Sequence, residues 1–141
     1  MIAVEPEVRD RYVRAGTVKL VFRAVLNHQE RSIRTSEAAA CAGRQGHFWL
    51  MHDLLFQRQR DVWGTANDDL VARMTSYAQE VPGLDQELFA TCMRERLSLE
   101  ALQAADAQQR RRGIAWQPVF EVNGHRLVGL QSVGAMSAAI M

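Results

Sequence analysis

From Trp116 to Gly129 the chain reads Trp-Gln-Pro-Val-Phe-Glu-Val-Asn-Gly-His-Arg-Leu-Val-Gly, the clearest strand signal in the sequence. Val119, Phe120 and Val122 form a short apolar run. Asn123-Gly124 is the pair that a type I′ turn demands, and His125 to Val128 returns as a second strand. Pro118 stands at the entrance, where a missing N–H does least harm to the ladder. Two strands are marginal alone and need a third strand and covering helices. That need constrains everything upstream. Thr17 to Val25, rich in β-branched residues with Val18, Leu20 and Phe22 on one face, is the candidate third strand.

Residues 5 to 15 read as a helix, with Pro6 in its first turn and Gly16 as its stop. From about Ser32 to Arg112 the pattern is helical almost throughout. Glu37 to Gln45 is alanine-rich and ends at Gly46. Phe48 to Gln59 puts Phe48, Met51 and Leu55 on one face, widened by Trp49 and Phe56. Asn67 is placed to cap a helix carrying Leu70, Met74, Tyr77, Ala78 and Val81, stopped by Pro82-Gly83. Asp85 caps the next, which is expected to bury Leu88, Phe89, Cys92 and Met93. Ser98 opens a helix that runs to Arg112 and stops at Gly113, and a final one spans about Ser132 to Ile140. No repeat or linker divides the chain, so residues 1–141 are one domain.

A net charge of +1 over 141 residues leaves no electrostatic footprint for nucleic acid or a membrane surface. No apolar run approaches the roughly 20 residues that cross a bilayer. Met1-Ile-Ala-Val is followed at once by Glu5, Pro6 and Glu7, which is not a signal peptide. As it stands the chain reads as cytoplasmic, and as extracytoplasmic if a segment precedes it. His47 and His52 lie five apart, about 140° around a helix, and cannot share a metal as an i, i+4 pair does. No cofactor fingerprint or metal ligand set is expected, and His52 reads as a core-edge residue. Arg110-Arg111-Arg112 ends a helix, where cations complement the macrodipole.

The stretch from Trp116 to Gly129 resembles the cis-proline strand and hairpin of the DsbA-like thioredoxin family of thiol–disulfide oxidoreductases. Two further stretches agree. Glu37-Ala-Ala-Ala-Cys-Ala-Gly-Arg-Gln-Gly-His-Phe-Trp-Leu-Met-His-Asp-Leu-Leu-Phe56 looks like that family's inserted helices, and Val18-Lys-Leu-Val-Phe-Arg23 like its second core strand. The resemblance implies an α/β, thioredoxin-like fold with a large helical insertion, about residues 32–112, between that strand and the hairpin. It also implies protein disulfide exchange, with Trp116, Gln117 and Pro118 holding an extended peptide substrate and the Gln117–Pro118 bond cis. Gln117 departs from the family's usual choice of a threonine or valine before the proline.

Disulfide exchange needs an attacking thiolate and a resolving thiol, which a C-x-x-C at a helix N-terminus supplies. No C-x-x-C occurs in these 141 residues. In the family it lies between the first core strand and a helix whose later turns look like Glu5–Ala15. The expectation is an incomplete fold that begins just past the dithiol and is inactive in dithiol exchange, with a non-catalytic peptide-binding or assembly module as the alternative. Cys41 and Cys92 look like family cysteines that are structural and sometimes bridged. The residues leave open two buried free thiols, a helix–helix disulfide, or a catalytic pair, the last without a visible activator. A sheet lacking its central strand would leave edges bare. Its expected repairs are direct closure of those edges, a substitute strand at Met1–Glu5, or a homodimer through the exposed edge.

Overall fold

The computed structural model describes residues 4–141. Its centre is α2, Glu30–Gly43, whose alanines let neighbours approach closely; α3 (Phe48–Gln57), α5 (Leu70–Ala78), α6 (Gln86–Arg94) and α7 (Leu99–Arg111) all pack on it. Ala38, Cys41 and Ala42 from α2 meet Met51, Met74, Tyr77, Phe89 and Met93 in one continuous buried cluster. A short α4, Gln59–Gly64, extends α3 and contributes the buried Val62.

Local rules set several helix ends. Asp85 accepts from the Leu88 N–H at 2.9 Å and opens α6, and Ser132 accepts from the Ala135 N–H at 3.0 Å and opens α8, Val133–Ile140. Gly113, at φ +78°, closes α7 in a left-handed conformation that a side chain would strain. Two capping expectations fail. Asn67 makes no cap hydrogen bond and instead starts a 3₁₀ turn, Asn67–Asp69, that leads into α5. Ser98 precedes α7 without capping it, its buried hydroxyl lying 3.9 Å from Cys92 Sγ. Leu88 is 61% exposed rather than buried, because the stripe of Phe89, Cys92 and Met93 alone faces α2.

The hairpin forms as β1 (Val119–Val122) and β2 (His125–Val128), antiparallel, with Val119 opposite Val128 and Val122 opposite His125. Asn123 and Gly124 both take positive φ, as the tight turn requires. The Asn123 side-chain amide also donates to the Ala139 and Ile140 carbonyls at 3.3 Å, tying the turn to the end of α8.

Thr17–Val25 is not a strand: among the described residues the sheet has two strands, and this segment pairs with neither. β-branched residues favour extended backbone, but a strand exists only where a ladder partner lies alongside. Its C-terminal end is instead held by side chains of α7. Asp106 accepts from the Leu26 N–H at 2.7 Å, and Arg110 donates to the Leu26 carbonyl at 3.2 Å. Phe22 remains 42% exposed despite packing on Phe48.

The N-terminal helix ends at Val13 rather than Ala15. It runs as α1, Val4–Val8, and continues as one π-helical turn, Arg9–Val13. Val4 and Glu5 are therefore helical, which removes the substitute strand at that end; the rest of that expectation, Met1 to Ala3, lies outside the described residues. Tyr12 donates to Ser137 Oγ at 2.8 Å, binding this helix to α8.

Candidate functional site

Trp116, Gln117 and Pro118 lie on the connection between α7 and β1. Ile114 buries itself below them, its N–H bonded to the Gln109 carbonyl at 2.9 Å. The Pro118 carbonyl accepts from the Gly129 N–H at 2.9 Å and anchors the far side. Between these fixed points Trp116 is 78% exposed, and the Gln117–Pro118 peptide is cis. Asn27, 90 residues away, accepts from the Gln117 amide at 3.1 Å and donates to the Ala115 carbonyl at 3.4 Å. Nothing in the local sequence around Asn27 marks it as a partner of the proline loop.

Gln117 also borders an open pocket of about 190 Å³ lined by the 22–28 segment, α2, α3 and α4. Its walls are mainly apolar, including Phe22, Leu55, Phe56, Val62 and Trp63. His28 meets the Trp63 ring edge-on at 5.0 Å, and the Arg31 guanidinium lies over that ring at 5.4 Å. The three substrate-binding residues expected from sequence thus form one exposed loop, with a pocket opening beside Gln117.

The two cysteines are joined in a disulfide between α2 and α6, with Cα atoms 5.8 Å apart, and both are buried. No free thiol remains.

His52 has more company than a core-edge histidine. Four aromatic rings, of Phe22, Phe48, Trp49 and Phe56, surround its imidazole at 4.8–5.8 Å. Nδ1 lies 3.1 Å from Asp53 Oδ1, while Nε2 faces Glu5 Oε1 at 3.6 Å, and neither of those last two buried atoms has a hydrogen-bond partner. Glu5, His52 and Asp53 thus offer donor atoms within 4.8 Å of one another, the first from α1 and the other two from α3. Arg9 already supplies positive charge there, 2.7 Å from Asp53 Oδ1 and 3.8 Å from Glu5 Oε1.

Burial pushes the Glu5 carboxyl above its usual range, and the attraction of His52 and Arg9 does not fully offset it. A raised carboxyl pKa means that the folded state holds this proton more tightly than the unfolded chain does. Its contribution to stability is complete below the ordinary glutamate range and declines as pH rises through the raised value. Glu5→Gln, which mimics the protonated form, is expected to gain stability relative to the parent as pH rises from 4 to 7. Urea unfolding of both proteins across that range checks this, and a constant difference would refute it.

The model of the thioredoxin family matches residues 3–141, so the chain belongs to that family. Two curated relatives are similar over nearly all of it. A sequence named Na(+)/H(+) antiporter NhaA 3, from Salinispora tropica, is 32% identical across 97% of the chain. One named Na(+)/H(+) antiporter NhaA 1, from Salinispora arenicola, is 30% identical across 96%. The chain spans about a fifth of the length of each, since the match covers 20% of either relative. No solved structure matches it.

Proposed function

We propose that this chain is a DsbA-like thioredoxin module that binds extended polypeptide along Trp116–Gln117–Pro118 and serves thiol–disulfide exchange without supplying the reactive thiols from these 141 residues. The observation that carries this reading is the exposed loop itself, with Trp116 presented to solvent and Gln117 opening onto an apolar pocket. Large exposed aromatic surface beside a concavity is what recognition of a peptide uses. The attacking thiolate has to come from outside these residues, because both cysteines are buried and bonded to each other. Among the described residues no helix is long and apolar enough to cross a membrane.

In an insulin-reduction assay the chain alone is expected to show no turnover above buffer. Turnover that disappears in Cys41→Ser or Cys92→Ser would overturn the non-catalytic part. Unfolded peptide is expected to quench Trp116 fluorescence in a protein carrying Trp49→Phe and Trp63→Phe, and unchanged emission at millimolar peptide would overturn the binding part.

A second reading, assembly of two copies, is favoured by the outer edge of β1, which has no ladder partner among the described residues, and by the exposed Val128 and Leu130 at the end of β2 and just past it. Light scattering at micromolar concentration should then give twice the 15.9 kDa chain mass. A monomer at that concentration would end this reading.

A further inference from the structure

Arg31 is an unusual lining for an apolar pocket. Arg9, Arg34 and Arg96, whose side chains are likewise largely withdrawn from water, each hold a carboxylate within 3.1 Å. Arg31 makes no ion pair among the described residues. It donates to the Thr65 carbonyl at 3.3 Å and rests on the Trp63 face, while its buried Nε has no acceptor. A guanidinium nitrogen left without a partner out of water is costly, and a ligand oxygen that reached it would remove that cost. No aspartate or glutamate lines the pocket; its titratable groups are Arg31, His28 and His52. Glu5 and Asp53 approach His52, but neither lines the pocket. The concavity is therefore suited to hydrocarbon with a negative charge at one end.

We propose that this pocket takes a bulky aromatic or aliphatic side chain from a bound peptide, and that Arg31 holds the carboxylate of an adjacent acidic residue. The ligand class is thus a peptide with a large apolar residue next to aspartate or glutamate. This deepens the reading above and rests on it: Gln117 belongs both to the exposed loop and to the pocket rim, so a chain laid along the loop can send one side chain inward. The guanidinium lies over the Trp63 ring at 5.4 Å, and with Nη2 given to Thr65 it retains Nε and Nη1 for a carboxylate.

The test is calorimetric titration of the intact chain with acetyl-Ala-Phe-Asp-Ala-amide and with its Phe-Asn counterpart. The aspartyl peptide is expected to bind at least about tenfold tighter, the loss typical of one charge-assisted contact. Arg31→Gln should abolish that preference. Equal affinity of the two peptides for the unaltered protein, or binding of neither at millimolar concentration, would overturn the proposal. So would a preference that survives Arg31→Gln. If Arg31→Gln does not fold, the peptide pair on the unaltered protein decides alone. Trp116→Ala separates the two readings. Weaker binding with the aspartate preference intact supports both, whereas unchanged affinity with the preference intact removes the loop as a peptide site and leaves the pocket standing.

Discussion

Replacing Cys41 and Cys92 together by alanine should lower the free energy of unfolding by about 4 kcal/mol, the loop-closure value for a bond spanning 51 residues. The bond joins α2 to α6, the two helices that contribute Cys41, Ala42, Phe89 and Met93 to the buried cluster. Freed of it, the unfolded chain gains the entropy of a long open segment, while the folded state loses little besides two sulfurs. A small domain has only about 5–15 kcal/mol in all, so the change is a large fraction of the whole. Urea unfolding should show a lower midpoint together with a steeper dependence on denaturant, because the uncrosslinked chain exposes more surface. A loss below about 1 kcal/mol would mean that the bond constrains little.

The second large effect is expected at Glu37, whose side chain is 1% exposed midway along α2, immediately before its alanine run. Arg96 reaches both of its oxygens, Nε to Oε1 at 3.0 Å and Nη2 to Oε2 at 3.2 Å, and Arg34 adds a contact at 3.1 Å. Arg96 does so from a left-handed backbone, φ +54°, just past the end of α6. Removing one member of such a buried set leaves charge without compensation. Glu37→Ala should cost about 3 kcal/mol, the low end for a broken buried pair, because the two arginines it strands can turn toward water. Arg96→Met should cost about 2 kcal/mol, since Arg34 still holds the carboxylate. The double variant should cost clearly less than the sum of the two. Strict additivity in thermal or urea unfolding would show that the contact contributes nothing.

What could be read in advance follows the range of the interaction responsible. Asp85, Ser132, Gly113 and the Asn123-Gly124 turn act on backbone within three or four residues of themselves, and each stands where its chemistry puts it. The alanines of α2 and the Phe89, Cys92 and Met93 stripe are periodic, so their burial shows in one dimension. Glu37 breaks that logic. A glutamate between Ser36 and an alanine run looks like a solvated helix residue until Arg96, 59 positions later, is seen to meet it. Thr17–Val25 fails for a related reason, because extended propensity says nothing about whether a neighbouring strand is present. Around the site, Trp116, Gln117 and Pro118 stand out only through the family resemblance of the stretch that holds them. Asn27, Arg31 and Trp63 do not stand out, because only tertiary packing brings the 27–31 segment and α4 beside that loop. Glu5 went unnoticed alongside His52 because their proximity depends on α1 crossing α3.

The sulfur bridge also has a mechanical side. Arg31, Thr35 and Ala39 face the cavity from the same helix that Cys41 staples to α6. That wall of the pocket is thus braced from behind, while the tryptophan loop on the other side is held only by hydrogen bonds to Asn27 and Gly129. If a peptide binds as proposed, the covalently braced wall would hold its shape and leave most of the ordering cost to the loop.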